Sequence, residues 1–152
     1  MVAPNIAATA DDYSEEYLKQ ILTEVRTIAL VGASPRVDRD SYLTMQVLLD
    51  QGYTVFPVNP RKADKKILGQ HCYASLASIE QPVDMVDIFR SSEAALGVTR
   101  EAIAIDAKVV WMQLEIVNHR AAELAAAAGL KVVMNRCPKI ELKKPYWTGI
   151  AE

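Results

Sequence analysis

The sequence lacks most of the residue patterns that announce chemistry. It has two cysteines, Cys72 and Cys137, far apart and in no CxxC pair. That excludes a zinc knuckle or a thioredoxin-type motif, and a structural disulfide is not expected in a reducing compartment. Its two histidines, His71 and His119, lie in separate segments. No metal-ligand spacing is present. The nucleophile elbow GxSxG is missing too, because Gly32-Ala33-Ser34-Pro35-Arg36 lacks the last glycine. No catalytic residue and no metal ligand is therefore assigned. No apolar run approaches the roughly 18 residues of a membrane span. With 17 basic and 19 acidic residues the formal net charge is −2, and there is no basic stripe for nucleic acid. Residues 1–10 lack the basic and apolar regions of a secretory signal, so a cytoplasmic protein is expected.

What is present is a packed α/β pattern. Hydrophobic residues make up 51% of 152 positions, enough for one domain with a real core. We expect a flexible arm over 1–12, one domain over 13–142 and a tail over 143–152. Asp12 and Glu15 read as a capping box for a first helix, on which Tyr17, Leu18, Ile21, Leu22 and Val25 recur at helical spacing. Strand one runs from Thr27 to Val31 and ends on Gly32. Ser41 is the expected N-cap of the next helix, with Leu43, Val47 and Leu48 as its buried face. Further strands are expected at 53–58, 85–89, 108–112 and 130–134, with a minor one at 71–73 and one helical turn at 76–79. Ser91 or Ser92 would cap a helix to about Asp106, and Asn118 an Ala-rich helix ending at Gly129. No period is visible from Cys137 onward. Near-continuous apolar strands separated by helices indicate a single doubly wound, mainly parallel α/β sheet, Rossmann-like, with helices on both faces.

In such sheets ligands sit beyond the carboxyl ends of the strands, so the residues after each strand carry the information. The dinucleotide fingerprint GxGxxG is absent: Gly32 matches its first glycine, but Ser34 stands where the second would be. Gly32, Ala33 and Ser34, with Arg39 and the helix start at Ser41, suit a phosphate. After strand two, NAD-binding chains usually place an acid for the ribose hydroxyl. Here the order is Asn59-Pro60-Arg61-Lys62. Two cations without an acid favour a ribose bearing its own phosphate, as in coenzyme A (CoA) or NADP, over a merely solvated basic loop. Phe89 and Arg90 suit an adenine face and a phosphate, or else a buried ring and a surface cation. Gln113 offers a donor and an acceptor to the crevice, whereas Trp111 reads as core. Cys137 beside Arg136 reads as a buried thiol.

Several strings in fixed order then carry a resemblance. Ile28-Ala-Leu-Val-Gly-Ala-Ser34, Gly52-Tyr-Thr-Val-Phe-Pro-Val-Asn-Pro60, Val83-Asp-Met-Val-Asp-Ile-Phe-Arg90, Val110-Trp-Met-Gln113 and Val133-Met-Asn-Arg-Cys137 look like the small stand-alone CoA-binding domain proteins, the YccU-like group. That domain resembles the CoA-binding part of succinyl-CoA synthetase α chains and ADP-forming acyl-CoA synthetases. The resemblance implies CoA or acyl-CoA as ligand. It places Gly32, Ala33, Ser34 and the stretch from Arg39 to Ser41 at the pyrophosphate. Asn59, Pro60, Arg61 and Lys62 would flank the 3′-phospho-ADP, and Phe89, Arg90 and Gln113 would form the remaining wall. Two positions depart from the family pattern: Glu115 replaces a usual glycine, and Asn135 replaces a usual aspartate. A carboxylate at 115 would narrow the crevice or repel phosphates. The expected function is a non-catalytic CoA or acyl-CoA binding protein. The alternatives are a small NADP-linked reductase, for which no proton donor is read, and the CoA-binding subunit of a split acyl-CoA ligase. The expected partner is a small nucleotide ligand; no nucleic acid, membrane or protein partner is indicated.

Overall fold

The computed structural model describes residues 13–149. Five parallel strands form the central sheet: β1 (Thr27–Val31), β2 (Thr54–Val58), β5 (Met85–Ile88), β6 (Val109–Met112) and β7 (Lys131–Val133), in the order β2-β1-β5-β6-β7. A two-residue hairpin, β3 (Lys66–Ile67) and β4 (Gln70–His71), stands outside it. The helices are α1 (Glu15–Glu24), α2 (Asp40–Asp50), α3 (Ala95–Ala104), α4 (His119–Ala127), α5 (Pro138–Glu141) and α6 (Pro145–Thr148).

The fold is α/β and Rossmann-like, with helices on both faces. Alternation along each strand sends side chains to two separate cores. Ile28, Leu30, Met85 and Trp111 face α1 and α2, while Ala29, Val31, Val86 and Met112 face α3 and α4. Both faces are covered, so the strands read as unbroken apolar runs. Both edges of the sheet are also protected. Tyr17 of α1 donates its hydroxyl to the Val132 carbonyl at 2.8 Å and accepts from the Val132 amide at 3.1 Å. Tyr13 accepts from the Met134 amide at 2.9 Å. Two tyrosines thus satisfy the outer ladder of β7 that would otherwise invite pairing. Burial in that position pushes the Tyr17 hydroxyl up to about 12. On the opposite edge Pro57 lies in β2, which an edge strand tolerates, and its carbonyl accepts from Tyr73 at 2.9 Å.

The alternation of elements is as expected, but several local expectations are corrected. Helix α1 is capped by Ser14, whose Oγ accepts from the Tyr17 amide at 3.1 Å; Asp12 lies outside the described residues. Ser41 is not an N-cap. The cap position belongs to Arg39, which makes no side-chain cap bond, and Ser41 is buried within α2. The buried stripe of α2 is Ser41, Thr44, Met45 and Leu48. Leu43 faces outward, because two polar residues occupy positions that an apolar reading skips. Helix α3 starts at Ala95 without a side-chain cap. Ser91 instead accepts from the Ala94 amide in the preceding turn, and Ser92 accepts from the Val117 amide. Asn118 caps α4, accepting from the Ala121 amide at 2.9 Å. The minor strand is the hairpin β3–β4, one step earlier than expected, with Tyr73 bridged to Val58. Beyond Cys137 the chain forms α5 and α6, which place Leu142, Tyr146 and Trp147 against the α1–α2 core.

One core residue breaks the apolar rule. Asp87, in the middle of the sheet between Leu30 and Trp111, is fully buried, and neither carboxylate oxygen has a hydrogen-bond partner. Burial raises its pKa well above the usual carboxylate range. The folded chain therefore keeps this proton while the unfolded chain loses it. Stability should fall as pH rises from about 4 until Asp87 ionises in the fold. We expect Asp87→Asn to remove that part of the decline, so that the variant gains on the parent between acid and neutral pH. Urea unfolding at several pH values measures this. A parallel pH dependence in both proteins would show that Asp87 is not held protonated.

Candidate functional site

Strands β1 and β5 are neighbours, and the chain leaves them in opposite directions, to β2 on one side and β6 on the other. Such a switch point opens a crevice at the carboxyl ends of the strands. Its centre is Gly32. The residue has φ +94°, and a Cβ there would lie 2.4 Å from the Phe89 carbonyl oxygen. Only glycine fits that conformation and that approach. Phe89 in turn donates its amide to the Val31 carbonyl at 2.8 Å, which draws the two strand ends together.

The crevice has two lobes that share Gly32. The first, about 310 Å³, is lined by Asn59, Pro60, Arg61 and Arg90, with Val31 and Val58 at its floor. The second, about 320 Å³, is lined by Ser34, Arg39, Ser41 and Phe89, and by Asp38 and Asp40. Nine of the twelve residues expected from sequence therefore line the crevice, Gly32 and eight others around it. The other three do not line either lobe. Ala33 is buried against the α1–α2 core, Lys62 ends the 3-10 turn Pro60–Lys62, and Gln113 is buried with its Oε1 unpartnered.

Hydrogen bonding fixes what these groups can offer a ligand. The Gly32 and Ala33 amides donate to the Val58 carbonyl at 3.0 and 3.2 Å. They are engaged inside the protein and do not form an open phosphate cradle. Asn59 is engaged as well: its Nδ2 donates to the Ala33 carbonyl at 2.8 Å and its Oδ1 accepts from the Arg61 amide at 2.9 Å. Ser34 accepts from the Arg36 amide at 3.1 Å, which curls the loop that follows. Arg61 and Arg90 are exposed, and neither forms an ion pair among the described residues. The first lobe thus carries two positive charges and no acid. The second carries one cation and two carboxylates.

The Val58 carbonyl and Asp38 were not expected at the crevice, whereas Asp40 falls within the Arg39-to-Ser41 stretch that the resemblance places there. Asp38 is readable as a charge in the loop, but nothing in the pattern says that it faces the crevice. Glu115 lines neither lobe. It is exposed with φ +69°, a left-handed conformation that favours glycine. Its amide donates to Asn135 Oδ1 at 2.6 Å. The two departures from the family pattern are thus hydrogen-bonded to each other. Both thiols are free and buried; burial pushes the Cys72 thiol up, and Cys137 lies 3.7 Å from Thr44 Oγ1. A larger recess of about 390 Å³ beside the hairpin is lined by Asp64, His71, Tyr73 and Glu80, with no Lys or Arg, and does not suit phosphate. Among the described residues there is no cluster of metal-binding side chains and no helix long and apolar enough to cross a membrane.

The sequence pattern of the CoA binding domain family matches residues 26–143. The chain belongs to that family. A relative in Bacillus subtilis (strain 168), the uncharacterized protein YneT, is 38% identical over 127 residues, covering 84% of this chain and 93% of its own. A solved structure of a hypothetical protein from Pyrococcus horikoshii OT3 aligns with TM-score 0.82 and 40% identity, over 88% of this chain and 92% of that one. An ADP-forming acetate–CoA ligase of Methanocaldococcus jannaschii is 26% identical over 76 residues, which is 50% of this chain and 10% of the ligase. The family match spans every strand of the sheet and every residue named above as lining the two lobes.

The approach of Gly32 to Phe89 yields a direct test. We expect Gly32→Ala to lower folding stability by at least about 2 kcal/mol, through left-handed strain plus the backbone clash. Chemical unfolding measures the loss. A change below about 0.5 kcal/mol, within the range of an ordinary surface substitution, would mean that β1 and β5 separate freely at this point.

Proposed function

We propose that the crevice binds coenzyme A, free or acylated, and that the protein acts by holding this ligand without transforming it. The observation that carries the reading is the first lobe: Arg61 and Arg90 share one cavity that contains no carboxylate. A 3′-phosphorylated ribose would supply the anion that these two guanidinium groups lack. The absence of an acid after β2 argues against an NAD-type ribose with free hydroxyls. Because the Gly32 and Ala33 amides are engaged with Val58, the phosphates rely on side-chain cations. Ligand charge therefore concentrates in the first lobe.

The two lobes contain no histidine, no cysteine and no buried acid at their surfaces. That supports a binding role over a reductase, which needs a proton donor beside the nicotinamide. A second reading, a CoA-binding subunit that completes a ligase made by another chain, is favoured by the similarity to part of an ADP-forming acetate–CoA ligase. Repeated co-isolation of an ATP-grasp protein would support it over the first.

Calorimetry with CoA, dephospho-CoA and NADP tests the binding role. We expect CoA to bind about 10–100-fold more tightly than dephospho-CoA, the value of one or two charge-assisted contacts. Equal affinities would remove the role given to Arg61. We further expect Arg90→Ala to weaken CoA by about 1–3 kcal/mol. A change of about 0.3 kcal/mol or less would leave Arg90 as a solvated surface cation.

A further inference from the structure

We propose that Asn59 is a positioning residue: it sets the preference of the first lobe for a 3′-phosphorylated ribose by fixing Arg61, and not through a bond of its own to the phosphate. The proposal rests on the assignment of CoA to this crevice and concerns what gives the site its selectivity.

The two arginines reach the lobe by unequal routes. Arg90 lies just past β5, and the amide of the residue before it, Phe89, donates to the Val31 carbonyl at 2.8 Å. The sheet itself carries Arg90 into place. Arg61 lies beyond the end of β2, in the 3-10 turn Pro60–Lys62. Its side chain is exposed and forms no ion pair among the described residues. The backbone of the turn therefore sets the direction from which its guanidinium enters the lobe.

Asn59 shapes that backbone twice over. Its Oδ1 accepts from the Arg61 amide at 2.9 Å, and its carbonyl accepts from the Lys62 amide at 3.0 Å. The first bond makes an Asx turn, in which a side chain replaces the carbonyl of an ordinary turn. The Nδ2 of the same side chain donates to the Ala33 carbonyl at 2.8 Å. The Oδ1 cannot swing away from Arg61 without straining that second bond. Aspartate would accept from Arg61 but could not donate to Ala33, and it would bring a carboxylate into a lobe that has none. Serine can accept from Arg61 in the analogous turn but is too short to hold both ends. Guanidinium–phosphate pairing depends on direction. A turn released from Asn59 keeps the charge of Arg61 near the lobe and loses its aim.

Calorimetry with CoA and dephospho-CoA on the full chain tests this, in the parent, Asn59→Ala, Asn59→Gln, Asn59→Ser and Arg61→Ala. We expect the preference for CoA to fall from about 10–100-fold in the parent to within about threefold in Asn59→Ala, while dephospho-CoA affinity changes by less than about threefold. Asn59→Gln, whose amide sits one methylene too far out, should lose the preference likewise and stands in if the alanine variant folds poorly. Asn59→Ser, which restores the acceptor for Arg61, should keep the preference within about threefold of the parent's. Adding Asn59→Ala to Arg61→Ala should cost no further preference, because both changes remove one contact. An unchanged preference in Asn59→Ala and Asn59→Gln overturns the proposal. So does an equal weakening of both ligands, which would make Asn59 a general support of the crevice. A loss in Asn59→Ser as complete as in Asn59→Ala overturns the route through Arg61. Equal affinity of the parent for CoA and dephospho-CoA, or no binding of CoA, overturns the underlying assignment and the proposal with it.

Discussion

The approach of the Gly32 backbone to the Phe89 carbonyl is the constraint on which the rest of the site depends. Parallel strands β1 and β5 must run side by side to their ends and then send the chain to opposite sides of the sheet. That divergence creates the crevice, and its depth depends on how closely the two ends converge before they part. A side chain at position 32 would hold them apart. Gly32 also joins the two lobes, so one residue sets both the packing of the sheet and the passage between the lobes. The bond from the Phe89 amide to Val31 and the bonds from the Gly32 and Ala33 amides to Val58 bind three strand ends into a single rim.

On that rim the charges are sorted. Arg61 and Arg90 come from the segments after β2 and β5; Asp38, Arg39 and Asp40 come from the loop after β1 and the start of α2. Local sequence gives each segment its sign, but topology brings the signs to opposite lobes of one groove. The order β2-β1-β5 puts Arg61 and Arg90 on either side of β1, though they are far apart in sequence. Neither segment alone carries both arginines to the cavity. The rim turns two ordinary surface arginines into a pair.

The overall architecture was legible in the sequence because both faces of the sheet are buried. Apolar runs such as Ile28–Val31 and Val109–Met112 can hardly be read otherwise, and a glycine after the first run marks the turn. The crevice residues were legible for a topological reason: whatever follows a parallel strand lies at the ligand-binding end. What sequence did not disclose depends on tertiary placement. Ser41 has the chemistry of a cap, yet it lies inside α2 because the helix begins at Asp40. The stripe Ser41–Thr44–Met45–Leu48 contains two polar residues, so an apolar period misjudges which way Leu43 points. Nothing local reveals that the Gly32 and Ala33 amides are engaged with Val58, or that Asp38 faces the groove. Asp87 was visible as an acid within an apolar string, but its complete isolation depends on Leu30, Trp111 and the helices above them. Glu115 was noted for its charge; its left-handed backbone, clamped by Asn135, is the reason a glycine is favoured there.

Asn59 leads to a different kind of conclusion. One side chain reaches from the end of β2 to the loop after β1, and its own backbone amide donates to Tyr73 at 2.9 Å. The opening is therefore braced like a door frame and not hinged like a door. A braced receptacle loses little freedom when it is filled, so affinity is largely built in before the ligand arrives. It also has little motion with which to announce that it is full. If another molecule is to distinguish the loaded protein from the empty one, it must read the part of the ligand left protruding from the rim.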